Sequence, residues 1–316
     1  MLDTVMFRLT MAEVEGVDFL NETPYYLDPY RLTFSQRSDG GRNVKGYLDG
    51  LMVTITPTIV SINGGSLCKW MLGDNYQSLG RRDIKRAVER LSDTLHLPME
   101  RATITRLDIG ASIPVKEPVC NYFNHLGLLD YAERCLQPYT LYYHRHQKAE
   151  TLCFYDKNEE QKKHNGKIPD LYRGVNVLRY EQRYVAKLPR LLGVPQVTAA
   201  MLYDERFYIS MLNKWREAYQ AIRKVNDITI NFQSMKTKKD LQRMGVLALA
   251  EQWGGELGLI AHINEAQKRG DLTTKQAYDL RQAVKNACKV KDGLTVPSTA
   301  ISELDKKIAE AIRFYR

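Results

Sequence analysis

The stretch ATITRLDIGASI, residues 102–113, decides the fold. It is a β-branched run that alternates, and a period of two places Ile104, Arg106 and Asp108 on one face and Thr105, Leu107 and Ile109 on the other. A charged pair therefore shares one face of a strand otherwise suited to burial.

Working outward, the pattern changes upstream. In SLGRRDIKRAVERLSDTLHL (78–97) the apolar residues Ile84, Val88, Leu91 and Leu95 fall at i, i+4, i+7 and i+11. This predicts an amphipathic helix over about 80–95, with Ser78 as its cap. Nearer the start, short apolar segments at 4–9, 30–34, 51–55 and 58–62 are punctuated by Gly40-Gly41 and Gly64-Gly65 and read as antiparallel strands. Downstream, YTLYYHRHQ (139–147), ETLCFYDK (150–157) and NVLRYEQRYVA (176–186) read as three more. Beyond Lys187 helical spacing replaces them, at 199–225, 239–252 and 274–288.

The expected class is α+β, an antiparallel sheet with helices packed on it and a helical C-terminal region. The expected domains are 1–230, β-rich in two parts (1–100 and 101–230), and 231–316. The basic segment INFQSMKTKKDLQRM (230–244) joins them, and Lys236, Lys238 and Lys239 suit an exposed linker or a nucleic-acid contact equally.

Composition bounds the function. A hydrophobic fraction of 44% and a charged fraction of 26% exclude disordered and fibrous classes, and 316 residues suggest about two domains. Lys and Arg number 46 against 37 acids, a net charge of +9, which favours a polyanionic partner, nucleic acid ahead of an anionic membrane surface. No apolar run reaches the roughly 18 residues of a membrane span, and MLDTVMFRLT carries Asp3, unlike a secretion signal, so the expected location is the cytoplasm. Five scattered cysteines without a C-x-x-C pair read as reduced thiols, not as a structural zinc site.

Four elements bring polar groups to strands built for burial: Asp108; Tyr155 with Asp156 and Lys157; Glu181; and His144 with His146. Phosphodiester chemistry uses such groups. A tyrosine phenol, with an ordinary pKa of about 10, needs an adjacent cation to act as a nucleophile near neutral pH, and Lys157 is expected on Tyr155's strand face. Mg²⁺ or Mn²⁺ held by Asp108 and Glu181 would polarise a phosphate. His144-Arg145-His146 sets two imidazoles on one strand face, as in His-hydrophobe-His endonucleases, though with Arg in the middle. Structural alternatives stand beside each: Asp108 pairs with Arg106 or Arg179, Glu181 forms an ion-pair ladder with Arg179 and Arg183, Tyr155 packs on a core, and the histidines sit on a solvated edge.

The order of segments then carries a resemblance. MLDTVMFRL (1–9), INGGSLCKWMLGDNYQSLGRRDIKRAVERLSDTL (62–95), TRLDIGASI (105–113), YTLYYHRHQKAETLCFYDKNEE (139–160) and LRYEQRYVAKLPRLLG (178–193) together resemble the gene II / gene X family of phage and plasmid replication proteins, over most of residues 1–195. The resemblance implies a nickase fold related to the His-hydrophobe-His endonucleases. It also implies a strand-specific, metal-dependent nick at an origin, a 5′-phosphotyrosine, a free 3′-hydroxyl that primes rolling-circle synthesis, and later rejoining. It maps the R-x-D segment to Arg106 and Asp108, the tyrosine-acid-lysine segment to Tyr155, Asp156 and Lys157, and the L-R-x-E segment to Arg179 and Glu181. Tyr142, Tyr143, Tyr180 and Tyr184 are the other tyrosines in reach. Where the family carries Gly, Ser and basic residues before ETLCFYDK, this chain has His-Arg-His-Gln-Lys.

Candidate DNA contacts are Arg81, Arg82, Lys85 and Arg86 on one helix, Arg145 and Lys148 near the site, and Arg106 and Arg179 within it. The expected partner is origin DNA, as single strand, hairpin or supercoiled duplex. The helical C-terminal region would serve a homodimer, a second DNA contact or a host helicase. A mobilisation relaxase acting at a transfer origin and a non-catalytic DNA-binding regulator on the same fold are the competing readings.

Overall fold

The computed structural model describes residues 1–36, 40–225, 227–228, 236–289, 295–296 and 298–316. Residues 230–235 of the basic linker lie outside the described residues. Strands β1 (Leu2–Thr10), β2 (Thr33–Gln36), β3 (Arg42–Leu48), β4 (Leu51–Ile55), β5 (Ile59–Gly64), β6 (Thr103–Val115), β7 (Glu133–Gln137), β8 (Thr140–Arg145), β9 (Glu150–Asp156) and β10 (Asn176–Tyr184) form one antiparallel sheet. Their order is β2-β3-β4-β5-β1-β6-β10-β9-β8-β7. Because β1 pairs with both β5 and β6, the two β-rich parts of the sequence are halves of a single sheet.

The long strand β6 departs from strict alternation at one point. Met6 pairs with Arg106 but Phe7 pairs with Ile104, so Thr105 is an extra residue, a β-bulge. The bulge turns Ile104 into the apolar core with Leu107 and leaves Arg106 and Asp108 without it, correcting the expected grouping.

The helices are α1 (Leu67–Leu72), α2 (Arg81–Leu95), α3 (Val119–His125), α4 (Lys157–Lys163), α5 (Leu188–Leu192), α6 (Glu205–Gln220), α7 (Lys238–Gln252), α8 (Gly255–Arg269), α9 (Thr274–Cys288) and α10 (Thr299–Tyr315). α2 buries the predicted stripe of Ile84, Val88, Leu91 and Leu95, but Gly80 is its cap. Ser78 is instead buried and its hydroxyl donates to Gly110 O at 2.7 Å. α6 begins where Asp204 accepts from Phe207 N, and its apolar positions Tyr208, Met211, Leu212, Trp215 and Tyr219 recur at helical spacing.

One face of the β6-β10-β9-β8 region is apolar. Phe154 stacks on Tyr180 at 4.3 Å and Tyr180 on Trp215 at 4.6 Å, joining the sheet to α6. α10 completes this layer: Ala300, Ile301, Leu304, Ile308 and Ile312 lie in the same core as the sheet. Of the region 231–316, read as one helical part, α10 thus joins the main core, while Ala250, Leu259, Ile263, Ala277 and Val284 make a small separate core among α7, α8 and α9. Among the described residues no helix is long and apolar enough to cross a membrane.

Candidate active site on the polar face of the sheet

Residues directly opposite in antiparallel strands project to the same face. The register sets Asp108, Gly110 and Ser112 of β6 against Arg183, Glu181 and Arg179 of β10, and these against Thr151, Cys153 and Tyr155 of β9. β8 continues the row with His144, Tyr142 and Thr140. One face of four adjacent strands therefore carries Asp108, Tyr155, Glu181 and His144 of the polar groups singled out from sequence.

Gly110 makes the close approach possible. A Cβ at this position would lie 2.6 Å from Glu181 Cγ and 2.7 Å from Tyr180 O, so only glycine lets Glu181 sit over β6. Gly110→Ala is expected to cost about 1–3 kcal/mol of stability and to push Glu181 out of place, read by urea denaturation together with any strand-cutting activity.

Glu181 is the hub. Its Oε1 accepts from Tyr155 OH at 2.9 Å and from Arg179 Nε at 3.0 Å, and its Oε2 accepts from Arg183 Nε at 2.8 Å. Arg179, fully buried, also donates to Asp3 Oδ2 at 3.0 Å and to Ser78 and Ser112 hydroxyls at 3.2 Å each. Asp3 in turn accepts from Ser66 Oγ at 2.6 Å. Beside this set Arg106 grips Asp108 through two bonds, Nε at 3.0 Å and Nη2 at 2.7 Å.

Burial and charge pull these acids apart. Burial raises the Glu181 carboxyl, but the guanidinium groups of Arg183 and Arg179 outweigh that and hold it down at about 2. For Asp108 burial prevails over Arg106 and moves it up to about 6. The signs are opposite: Glu181 contributes stability that is lost as the solution is acidified below the ordinary carboxylate range, whereas ionising Asp108 opposes folding as pH rises through about 6. Relative to Asp108→Asn, the wild-type protein is expected to lose stability on the order of 3 kcal/mol between roughly pH 4 and 7, measured as the shift in urea midpoint across that range.

Tyr155 is 8% exposed and burial pushes its phenol well above 10, with the Glu181 charge adding to the shift. It borders a cavity of about 590 Å³ whose walls include Tyr142, Cys153, His164 and Arg183. Lys157 is not on Tyr155's strand. It opens α4, where Asp156 caps Asn158 N and Glu159 N and ends the strand. From there its fully buried ammonium still lies 5.8 Å from the centre of the Tyr155 ring, bonded to Glu160 at 2.8 Å, and burial lowers its pKa.

The other tyrosines divide by parity. Tyr142 shares the polar face and the cavity, its ring stacked at 5.5 Å on His144. Tyr143, Tyr180 and Tyr184 are buried in the core on the opposite face.

The two histidines separate, contrary to the expectation that they share a face. β8 ends at Arg145, and His146, Gln147 and Lys148 are left-handed, with φ of 50°, 57° and 66°, so the chain turns before His146. His144 contacts Thr151 Oγ1 at 3.1 Å on the polar face, while His146 Nε2 approaches Glu150 Oε2 at 3.6 Å. Glu150 belongs to the opposite face, where Arg145 also reaches it at 3.6 Å. Arg145 thus leaves the site and Lys148 is exposed at the hairpin tip.

The donor set does not fit a divalent ion in this arrangement. Both oxygens of Asp108 and both of Glu181 are taken by guanidinium or phenol donors, so neither carboxylate offers an unengaged oxygen to an ion. Among the described residues no group of three His, Cys, Asp or Glu is placed to hold a metal.

The remaining basic candidates lie on α2 and at the linker's end. Arg81 pairs with Glu205 at 3.3 Å, Lys85 with Glu89 at 3.7 Å and Arg86 with Asp83 at 2.9 Å, while Arg82 is exposed. Lys238 and Lys239 begin α7. Sequence reading passes over Asp3, Ser78 and Ser112 as site residues, and uses Arg183 only as a flank of Glu181. The alternation Arg179-x-Glu181-x-Arg183 is the signal that points to the last of these.

No curated protein matches the chain. Residues 1–218 match the family of phage replication-associated proteins of the gene II type, in its N-terminal part, a match that contains every strand of the sheet and every residue of the polar face. The chain belongs to this gene II family of phage replication proteins and is a replication initiator.

Proposed function

We propose that the protein starts rolling-circle replication by cutting one strand of origin DNA with Tyr155. The observation that carries this reading is the Tyr155 phenol bonded to Glu181 between Arg179 and Arg183, at the edge of a cavity. A scissile phosphate entering that cavity competes with Glu181 for Arg183. Two charge-assisted bonds from a guanidinium match the paired oxygens of a phosphate and stabilise the charge that builds up on them. As Arg183 turns away, Glu181 loses the cation that depresses its proton affinity and becomes able to take the phenol proton.

The Tyr155 oxygen then forms a bond to phosphorus, the bond to the 3′ oxygen breaks, and that oxygen takes up a proton as a 3′-hydroxyl. The phosphodiester energy is kept in a 5′-phosphotyrosine, so attack by the 3′-hydroxyl rejoins the strand. Mg²⁺ or Mn²⁺ on Asp108 and Glu181, with His144, belongs to the proposal only if Arg106 and Arg183 swing off the carboxylates, and His146 has no part in it because it lies with Glu150 on the other face. The chain's own arginines and Lys157 otherwise carry the electrostatic work.

Incubating the protein with supercoiled origin DNA, with and without Mg²⁺ or Mn²⁺, and mapping the DNA-linked peptide by mass spectrometry tests the reading. The expected peptide contains Tyr155. The competing view, a DNA-binding regulator, draws on the complete pairing of Asp108 and Glu181 with arginines, and predicts binding without any linked peptide.

A further inference from the structure

We infer that the cleft between the start of α2 and the end of α10 holds a segment of single-stranded nucleic acid, with Phe314 stacked on an unpaired base. The inference rests on the reading of this chain as a protein that opens a DNA strand, and it concerns a surface that the cutting step does not use.

The cleft has a volume of about 910 Å³, at the upper end of the roughly 300–1,000 Å³ typical of small-molecule sites. Arg81, Arg82, Asp83 and Arg86 line it from α2, and Lys307, Glu310 and Phe314 from α10. Arg81 and Arg86 are committed to Glu205 and Asp83. Among the described residues no carboxylate pairs with Arg82 or Lys307, so two cations face the cleft without a salt-bridge partner, Glu310 being the one acid of the lining that Arg86 does not hold.

Phe314 is 81% exposed, on a helix whose Ile308 and Ile312 are buried in the core, so its position is fixed while its ring faces solvent. An exposed aromatic ring beside cations that no carboxylate holds is the pairing that binds a flexible polyanion with flat bases. A duplex presents its bases already stacked on one another and offers no free face to such a ring, which is why an unpaired strand is the ligand.

The cleft shares no lining residue with the cavity at Tyr155, but side-chain contacts link the two. Its floor includes Ser78 and Ser112, whose hydroxyls accept from Arg179 at 3.2 Å each. Its wall includes Tyr76, stacked on Tyr172 at 4.7 Å. Tyr76 also lies 5.6 Å from Lys157 Nζ, the ammonium that borders Tyr155. A strand held here leads towards the polar face of the sheet.

Fluorescence anisotropy of labelled oligothymidylate and of a duplex of equal length, with full-length protein carrying Tyr155→Phe and no divalent ion, tests the cleft without any cutting. Phe314→Ala is expected to weaken single-strand binding roughly 5- to 150-fold with the melting temperature unchanged. Replacing Arg82 and Lys307 together by Ala should reduce the slope of log affinity against log salt by about 1.4. Unchanged single-strand binding in the Phe314 variant overturns the inference, as does an equal loss for duplex. So does displacement of the oligonucleotide by polyglutamate as effectively as by unlabelled oligothymidylate, which would assign the cleft to an acidic protein. Failure of Tyr155 to appear in the DNA-linked peptide leaves these titrations untouched, so the two ideas fail separately.

Discussion

A Tyr155→Phe protein is expected to bind origin DNA as the wild type does and to form no covalent adduct with it. The substitution removes one oxygen and keeps the ring, so the wall of the cavity is preserved. Glu181 loses a donor but retains Arg179 and Arg183, and the loss of one buried hydrogen bond to a carboxylate should cost about 1–3 kcal/mol, read as a lower urea midpoint. Denaturing gels after incubation with end-labelled DNA give the other half of the result. Tyr142→Phe supplies the control, because Tyr142 shares the polar face and the cavity. An adduct that survives Tyr155→Phe and vanishes with Tyr142→Phe would transfer the nucleophile to Tyr142.

Arg179→Met is the change expected to harm the fold most, by about 3–5 kcal/mol. Arg179 is wholly enclosed and ties β10 to β1 through Asp3, to β6 through Ser112 and to the loop before α2 through Ser78. Removing it strands the Asp3 carboxylate with Ser66 alone, while Glu181 keeps Arg183. Asp3→Asn combined with Arg179→Met should therefore destabilise by clearly less than the sum of the two single changes, a coupling measurable from four denaturation curves. Additive effects would show that Asp3 and Arg179 do not depend on one another.

The sheet is legible wherever β-branched residues alternate: β4 follows the predicted bounds and β8, β9 and β10 fall within the predicted stretches. β3 and β7 escape that reading, as RNVKGYL and ERCLQ are too polar or too short to stand out. Three misreadings share one cause, the behaviour of single residues at the ends or kinks of strands. The bulge at Thr105, the left-handed turn from His146 and the helix start at Lys157 each depend on backbone geometry that period-two counting passes over. Asp3 shows a different limit. In the sequence it stands out only as an acid near the start of the chain, because nothing local reveals that a partner 176 positions away will enclose it.

The placement of α10 has a consequence for synthesis. Its apolar stripe sits against strands made some two hundred residues earlier, so during translation those strands wait with an uncovered oily surface until the ribosome has passed residue 315. The nascent chain is then expected to expose that part of its core over a long stretch of its production, until α10 has emerged to cover it.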